Sequence, residues 1–270
     1  MEGPSLVILR EELQKFKGKK VVSISGNSKQ PITDIEGKTL KKIETWGKTI
    51  YFFFTGNIVT KTHFMLFGSY RIDEPKPDRV PRVQFDFPNG IVYFYACAFS
   101  MDAADQFEVL DHRVDVLSKD WDEKYVRTLV KKKAPSTYLC DLFLDQTLFA
   151  GSGNIVKNEV LFNLRRHPLT RLEDIKPTDI KTIVHAVRVY CEDFYEWKKK
   201  YELRKHWQVY KRWKCRNCER SLKREHIGKW KRSTFYCPHC QNKKLTSTKL
   251  VLHEVLPISG KTVKEKRLDH

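Results

Sequence analysis

No part of this 270-residue chain is apolar for long enough to cross a membrane. The longest candidates are short stretches such as Ile50 to Phe54, whereas a helix that spans a bilayer needs about 20 predominantly apolar residues. The first residues, Met1-Glu2-Gly3-Pro4, also lack the basic and apolar segment that directs secretion. We therefore expect neither a membrane partner nor an oxidising, extracellular environment.

Acidic residues are scarce: 33 Asp and Glu accompany 51 Lys and Arg, giving a formal net charge of +18 at pH 7. Twelve of these surplus charges lie between Lys198 and Arg232, where fifteen basic residues accompany three acidic ones. Aromatic residues are interleaved with these charges, namely Trp207, Tyr210, Trp213 and Trp230. Because displaced counterions drive association with polyphosphates, the segment predicts a nucleic-acid-binding surface. The alternative is a solvated basic face that aids solubility.

Cysteine is sparse outside one cluster. Cys97, Cys140 and Cys191 stand among apolar neighbours, which is typical of ordinary buried thiols. The other four cysteines form two C-x-x-C pairs with eighteen residues between the pairs: Cys215, Cys218, Cys237 and Cys240. Two such turns complete a tetrahedral Zn²⁺ shell.

Four sulfur ligands leave no open coordination position, so we predict one structural zinc ion per chain. His239, inside the second pair, is then a surface residue of the turn and not a fifth ligand. Two disulfides are the alternative, which the missing secretion segment disfavours.

The two halves of the chain differ in hydrophobic period. A helix is predicted from Pro4 to about Phe16, and turn signals at Thr55-Gly56-Asn57 and Pro88-Asn89-Gly90 separate β-rich runs. The predicted strands are Thr49 to Phe54, Ile58 to Phe64, Val83 to Phe87 and Ile91 to Phe99. Helical spacing then covers Asp120 to Lys133, Thr137 to Phe149, Asn154 to Leu164 and Thr178 to Tyr201.

These patterns predict an α+β multidomain protein. We expect an N-terminal β-sandwich or flattened barrel over residues 1–115, a helical domain over 120–205, a zinc finger with a β-hairpin over 206–245 and a tail over 246–270. The tail, which is rich in lysine, is either an additional contact surface or a mobile end.

A loop with two glycines precedes the helix predicted at Asn154. Gly151 and Gly153 flank Ser152, so the backbone there can approach another segment closely. The N–H groups at the start of the following helix favour an anion such as phosphate. The alternative is an ordinary helix connector.

Several motifs occur in the order of one protein family. They are Glu2-Gly3-Pro4, Gly47-Lys48, Ala150 to Asn154, Asn158 to Phe162, His167-Pro168 and Arg232 to Gln241. With these motifs the chain resembles the formamidopyrimidine-DNA glycosylase and endonuclease VIII family of base-excision repair enzymes, and more closely the endonuclease VIII branch. The resemblance implies a helix-two-turn-helix around residues 137 to 165 and damaged double-stranded DNA as partner. We also expect a monomer. In a prokaryote the protein would be cytoplasmic and associated with the nucleoid, and its location in a eukaryote is left open.

The resemblance further implies a DNA glycosylase and abasic-site (AP) lyase that removes oxidised bases. The α-amine of Met1 would attack C1′ and form an imine, Glu2 would transfer protons, and Lys48 would hold a phosphate near the lesion. Taken alone, Glu2 can be a favourable charge at a helix start, and Lys48 a solvated edge charge. Glu159 also matches the family pattern, and we expect a structural role for it.

The chain lacks the proline that precedes Glu-Gly-Pro in the family. Met1 stands in that position, so the amine is primary and belongs to a bulkier, flexible residue. A primary amine still forms an imine. Two alternatives remain: a catalytically inactive variant that binds damaged or abasic DNA, and a zinc-ribbon RNA-binding protein.

The remaining predicted contacts with DNA also come from the resemblance. Asn154 would contact a backbone phosphate, and Arg232 would hold the phosphates that flank the extruded nucleotide. Met65, Leu66 and Phe67 align with the loop that fills the gap left by that nucleotide. The alternative for these three residues is a place in the core at a strand end.

Overall fold

The structure, a computed structural model, describes residues 1–103 and 105–242. The tail predicted at 246–270 lies outside these residues. The chain forms two compact units, of which the first contains Met1–Leu129 and Leu144–Gly153. The second contains Val130–Phe143 and the chain from Asn154 onward. The units are thus interleaved in sequence, whereas the predicted domains are consecutive segments. No helix of the described part has both the length and the apolar character needed to cross a bilayer.

The first unit begins with the predicted helix. Helix α1 spans Gly3–Glu12 and continues as a 3₁₀ turn over Leu13–Phe16, in agreement with the prediction of a helix ending near Phe16. Pro4 lies in its first turn, where the missing N–H costs nothing and the fixed φ suits a helix. Leu6, Leu9 and Leu13 are fully buried and attach the helix to the core of the sheet.

Six antiparallel strands form the sheet of the first unit, in the spatial order β1-β5-β6-β4-β3-β2. They are β1 (Ser23–Ser25), β2 (Leu40–Trp46), β3 (Thr49–Phe54), β4 (Ile58–Ile72), β5 (Val83–Phe87) and β6 (Gly90–Ala103). Phenylalanine rings fill its core: the Phe52 ring centroid is 5.3 Å from that of Phe85 and 5.8 Å from that of Phe94. Two further helices of this unit are α2 (Asp105–Glu108) and α3 (Glu123–Lys131).

Both predicted turns occur, and they differ in which residues have a positive φ. Between β3 and β4, Gly56 and Asn57 both have positive φ, at 80° and 57°. At the second turn Phe87 pairs with Gly90, so the two loop residues are Pro88 and Asn89, and Gly90 already begins β6. Gly90, with φ of 140°, provides the positive φ there. Asn89 and Gly90, the kind of pair that tight two-residue hairpin loops favour, therefore do not form the loop here.

The second unit combines helices with a two-stranded hairpin. Its elements are α4 (Leu139–Leu142), α5 (Asn154–Asn163), α6 (Ile180–Lys199), α7 (Leu203–His206), β7 (Lys223–Ile227) and β8 (Arg232–Tyr236). Short 3₁₀ turns occur in the two units at Ile32–Ile35, His112–Val114, Leu172–Asp174 and Pro177–Asp179. The predicted α+β fold class is confirmed: an N-terminal antiparallel sheet is followed by helices and by a C-terminal hairpin with a cysteine cluster.

The helix predicted from Thr137 to Phe149 is wrong, because only α4 is helical. Asp145 interrupts the pattern: its side-chain Oδ1 accepts hydrogen bonds from the backbone N–H of Thr147 at 2.9 Å and from the Thr147 hydroxyl at 2.7 Å. The Asp145 carbonyl accepts the N–H groups of Leu148 and Phe149, which closes a turn. An aspartate that bonds its own backbone competes with the helix ladder, and the apolar spacing did not reveal this.

Candidate functional site

Three glycines bring distant segments of the first unit together. The Gly3 N–H donates a hydrogen bond of 2.9 Å to the Gly151 carbonyl. A Cβ atom on Gly3 would lie 2.8 Å from the Gly151 Cα and 3.2 Å from the Gly47 carbonyl oxygen. Such approaches leave no room for a side chain, so only glycine allows these backbones to meet. The first residues, the β2–β3 hairpin and the Ala150–Gly153 loop are therefore adjacent.

Glu2 lies against the end of that loop. A Cβ atom on Gly153 would be only 2.4 Å from the Glu2 Cδ, so the missing side chain provides the space for the carboxylate. Glu2 is the N-cap residue of α1, yet its side chain makes no capping hydrogen bond to the helix. The carboxylate thus lies on the loop side of the helix start, beside the first residue of the chain.

A buried carboxylate fixes the hairpin that carries Lys48. Lys48 follows Gly47, whose φ is 56°, in the two-residue turn between β2 and β3. Asp115 Oδ2 accepts the Gly47 N–H at 2.8 Å, and its Oδ1 accepts the Leu117 N–H at 3.0 Å. Burial raises the pKa of Asp115, and these two N–H groups oppose the shift. Asp115 was not predicted, because only the tertiary structure places it under the hairpin.

His63 is a second residue that the sequence did not indicate. It pairs with Thr49 across β3 and β4, and its Nδ1 lies 3.4 Å from the Thr49 hydroxyl. Burial of the ring lowers the pKa of His63, and the positive charges of Lys48, the chain's N-terminal amine and Lys61 lower it further. The positive charges of Lys48 and of the N-terminal amine therefore both act on the His63 ring. Only the strand register could have identified it, since Thr49 directly follows Lys48.

The side chain of Met1 is not the flexible group that the sequence suggested. It is partly buried and packs against the phenylalanine-rich core of the first unit. Packing of the side chain restricts the conformations of the residue that carries the amine. The first residue thus has a defined location beside Glu2 and near His63.

Met65, Leu66 and Phe67 are exposed, so the alternative that they belong to the core is wrong. Their exposed fractions are 59%, 73% and 79%. Strand β4 pairs with β6 up to Phe64 and again from Ser69. The residues between them form an irregular segment. Soluble surfaces rarely present such an apolar cluster without a partner. The exposure is the arrangement that a DNA-filling loop requires, and that role stays a prediction.

In the second unit, the polar side of α5 holds strand β8. The Asn154 side-chain amide donates to the Ser233 carbonyl at 2.9 Å, and Lys157 Nζ donates to the Thr234 hydroxyl at 2.7 Å. The Phe235 N–H donates to Asn158 Oδ1 at 2.8 Å. Asn154, predicted to contact phosphate, thus also supports the hairpin.

Arg232 is the first residue of β8 and is exposed. It directly precedes the part of the strand that α5 holds. A guanidinium at this position is available to a partner, while the backbone that carries it is anchored on one side. Its predicted contact with phosphate stays a prediction.

Glu159 is buried and binds three successive backbone N–H groups. Its Oε2 accepts from Gln208 at 2.7 Å, and its Oε1 accepts from Val209 at 3.1 Å and Tyr210 at 2.7 Å. Burial raises the pKa of Glu159 to about 7, against the effect of these donors. The residue connects α5 to the segment that enters the cysteine cluster.

Replacement of Glu159 by Gln is expected to lower the free energy of unfolding by about 3 kcal/mol, because an amide nitrogen cannot accept a backbone N–H, whereas both carboxyl oxygens can. The folded pKa of about 7 lies above the ordinary value of 4.5, so the carboxyl's contribution is present at low pH and is lost as pH rises through 7. The stability gap between wild type and Glu159→Gln should therefore be widest near pH 5 and narrow by pH 8. Urea unfolding across this range measures it, with the exposed Glu173→Gln as control. A gap that widens with pH would contradict the prediction.

The four paired cysteines form one cluster. Their sulfur atoms lie within 4.8 Å of one another, and the Sγ–Sγ distances are 3.8 Å for Cys215–Cys240 and 3.5 Å for Cys218–Cys237. Sulfurs around a tetrahedral Zn²⁺, each about 2.3 Å from the ion, are about 3.8 Å apart. The cluster therefore fits a metal ion of this kind.

The neighbourhood of the cluster agrees with a metal site. The backbone N–H groups of Asn217 and Cys240 point to the sulfurs of Cys215 and Cys237, each at 3.4 Å, as donors do toward thiolate ligands. The alternative of two disulfides is wrong, because none of the seven cysteines, all of which lie in the described residues, forms a disulfide. His239 is exposed and outside the cluster, as predicted.

Known proteins share both the sequence pattern and the fold. The family model of the formamidopyrimidine-DNA glycosylase N-terminal domain matches residues 2–98. Endonuclease 8-like 3 of Xenopus laevis is 27% identical over 236 residues, which are 83% of this chain and 38% of that protein. Endonuclease 8 of Salmonella schwarzengrund is 22% identical over 268 residues, 89% of this chain and 99% of that protein. This chain thus spans little more than a third of the length of its Endonuclease 8-like 3 relatives.

Among solved structures, the Lactococcus lactis formamidopyrimidine-DNA glycosylase, bound non-covalently to DNA that contains an AP site, has a TM-score of 0.77. It is 24% identical, and the alignment covers 90% of this chain and 100% of that one. At this identity the likeness establishes the fold. With the matching motifs and relatives, these similarities support membership of the formamidopyrimidine-DNA glycosylase and endonuclease VIII family.

Proposed function

We propose that the protein is a DNA glycosylase with AP lyase activity that removes oxidised bases from duplex DNA. The observation that carries the proposal is the cluster of the first residue, Glu2 and Lys48, which Gly3, Gly47 and Gly151 bring together. A nucleophilic amine, a proton-transfer group and a phosphate-binding cation are the parts that this chemistry needs.

The reaction begins at the α-amine of Met1. Its neutral form attacks C1′ of the damaged nucleoside, the C1′–N bond breaks, and the base leaves with the electron pair of that bond and takes up a proton. Loss of the amine protons and opening of the sugar ring give an imine between C1′ and the Met1 nitrogen. An α-amine, with an ordinary pKa of about 7.7–8.0, has a substantial neutral fraction at pH 7, whereas a lysine at about 10.4 has very little.

Glu2 is the proton-transfer group in this scheme. Its carboxylate lies beside the first residue and against Gly153, on the loop side of α1. It accepts a proton from the attacking nitrogen and returns one to the opening sugar ring. Deprotonation at C2′ then expels the 3′ phosphate, a second elimination expels the 5′ phosphate, and water hydrolyses the imine and releases the amine.

Phosphate groups of the DNA would be held by cations on both units. In the first unit, Lys48 and the N-terminal amine both lie close enough to His63 to lower its pKa, and this concentration of positive charge suits an anion. In the second unit, Arg232 stands at the start of β8, within the segment of surplus basic charge. A planar guanidinium can bind two phosphate oxygens at once.

A zinc ion is the proposed occupant of the cysteine cluster. Cys215, Cys218, Cys237 and Cys240 would hold it, and with four protein ligands it would stabilise the hairpin and take no part in the chemistry. Exposed Met65, Leu66 and Phe67 would enter the space left by the everted nucleotide, because unstacking a base costs a few kcal/mol.

Reductive trapping tests this function. A duplex with one abasic site is incubated with the protein and cyanoborohydride, and the covalent adduct is counted by gel electrophoresis and mass spectrometry. We expect an adduct with the wild type and an abundance lowered by about 100-fold for Glu2→Gln, since general acid–base catalysis contributes on that order.

Other outcomes distinguish the alternative functions. Binding of abasic duplex without any adduct would leave an inactive DNA-binding variant, in which the primary amine of Met1 does not replace the proline of the family. A preference for folded or single-stranded RNA over abasic duplex in competition binding would instead favour a zinc-ribbon RNA-binding protein.

A further inference from the structure

The turn of the hairpin rests on a carboxylate from a different part of the second unit. Gly228–Lys231, which joins β7 to β8, is called here the hairpin turn. Asp141 Oδ2 accepts the backbone N–H of Lys229 at 2.9 Å, and Asp141 Oδ1 lies 3.4 Å from the Trp230 nitrogen. One side chain, 88 residues earlier in the sequence, thus binds the turn at successive peptide groups.

The fit between Asp141 and the hairpin turn is close. Gly228 has a φ of 77°, and a Cβ atom on it would lie 2.6 Å from Asp141 Oδ1 and 2.8 Å from the Cys140 sulfur. The turn therefore needs glycine at this position for two reasons, its backbone conformation and the space that Asp141 and Cys140 occupy. A turn that rests this closely on a side chain takes its position from that side chain.

Asp141 is itself firmly placed. It lies in α4, where the N–H of Leu139 donates to the Thr170 carbonyl at 2.9 Å and the N–H of Cys140 donates to the Pro168 carbonyl at 3.1 Å. Leu139 and Cys140 are buried. A short helix that is bonded and buried in this way is a rigid platform for the carboxylate.

Apart from the pairing of Ile227 with Arg232 at its base, the hairpin turn has few other described contacts that define its position. Its internal bond, from the Lys231 N–H to the Gly228 carbonyl, measures 3.3 Å, and Lys231 has an uncommon φ of 48°. The Trp230 side chain is 55% exposed. The contacts of α5 described above begin only at Ser233, beyond Arg232. Asp141 thus anchors the side of Arg232 that α5 does not reach.

We propose that Asp141 is a positioning residue for Arg232 and sets the place from which its guanidinium reaches DNA phosphate. This inference rests on the proposed function. Electrostatics alone predicts the opposite effect of Asp141, because a negative charge beside Lys229, Lys231 and Arg232 repels phosphate. Removal of the charge would then strengthen DNA binding, whereas loss of positioning would weaken it. The two explanations therefore differ in sign.

The test measures the affinity of the full chain for a duplex that contains one tetrahydrofuran abasic-site analogue. We expect Asp141→Ala to weaken binding about tenfold, as loss of a charge-assisted hydrogen bond implies. Asp141→Asn keeps an acceptor oxygen of the same reach and should stay within about threefold of the wild type. The control is Asp174→Ala, since Asp174 accepts the backbone N–H of Arg171 at 3.1 Å in an exposed turn of the same unit.

A double-mutant cycle separates positioning of Arg232 from a general structural effect. In an Arg232→Ala background, Asp141→Ala should change the affinity less than about twofold, because the group that it positions is gone. The inference would be overturned if Asp141→Ala weakened binding as much in the Arg232→Ala background as in the wild type. Equal or tighter binding by the single variant Asp141→Ala would also overturn it.

Hydrogen exchange of the free protein distinguishes failure of this inference from failure of the proposed function. Peptides that cover 228–236 should exchange about tenfold faster in Asp141→Ala than in the wild type. Unchanged exchange would overturn the anchoring role whether or not the protein binds DNA. If exchange accelerates but the wild type does not bind abasic duplex, the proposed function fails and the role of Asp141 toward DNA is overturned with it.

Discussion

Acetylation of the Met1 α-amine is expected to abolish covalent trapping of abasic DNA, with a loss of at least about 1,000-fold, equivalent to roughly 4 kcal/mol of barrier. An amide nitrogen has given its lone pair to resonance with the carbonyl, so it cannot attack C1′. Affinity for the abasic duplex should fall by no more than about threefold, because only one cation among the phosphate-binding groups is lost. Trapping yield and binding affinity, measured on the same acetylated sample, check the prediction.

The position of the adduct provides the control. Proteolysis of the trapped complex of the unmodified protein should locate the sugar on the first peptide, at Met1. Lys48 is the competing amine, and Lys48→Arg retains its charge while removing its nucleophilicity. This variant should still be trapped at Met1. An adduct on the Lys48 peptide, or undiminished trapping after acetylation, would refute the assignment of the nucleophile.

Loss of the metal is the second large effect that we expect. Cys237→Ser should remove the zinc ion proposed for the cluster and weaken the affinity for abasic duplex by about 100-fold or more, since a structural zinc site contributes about 10–16 kcal/mol to the folding of small zinc modules. The apolar core around the cluster is small and consists of Phe162, Val209 and Phe235 together with the cysteines. Such a core does not hold a hairpin without the ion.

Native mass spectrometry and far-UV spectroscopy measure the effect of Cys237→Ser. The wild type should contain one zinc ion per chain, and the variant none. Cys191→Ala is the matched control, because Cys191 is buried in α6 of the same unit and lies outside the cluster. It should keep both the ion and the DNA affinity. A zinc-free wild type that binds abasic duplex would remove the structural role proposed for the metal.

The strands and the metal ligands are where the sequence was most informative. The predicted limits of Thr49–Phe54 and Val83–Phe87 match β3 and β5. The cysteine pairs form the expected cluster, since a C-x-x-C turn brings two sulfurs together by local geometry. Strand β2, Leu40–Trp46, was missed because charged residues at its exposed positions obscure the apolar alternation.

The apolar pattern of the sequence also gave a wrong end for a strand that continues past an irregular segment. Strand β4 was expected to end at Phe64, yet it runs on to Ile72 beyond the exposed segment at Met65, Leu66 and Phe67. The residues of that segment are as apolar as core residues. Composition alone therefore left their placement open, and only pairing with β6 on both sides places them at the surface.

By itself, the sequence determined the types of most elements, the order of the family motifs and the cysteine spacing, because each depends on residues a few positions apart. The tertiary structure decided which side chains support the candidate site. Asp115 under the Lys48 hairpin, Glu159 beneath the entry to the cysteine cluster and Asp141 at the hairpin turn all bind backbone N–H groups from segments remote in sequence. A carboxylate that satisfies a distant peptide group leaves no periodic pattern in the chain, so only the folded structure reveals it.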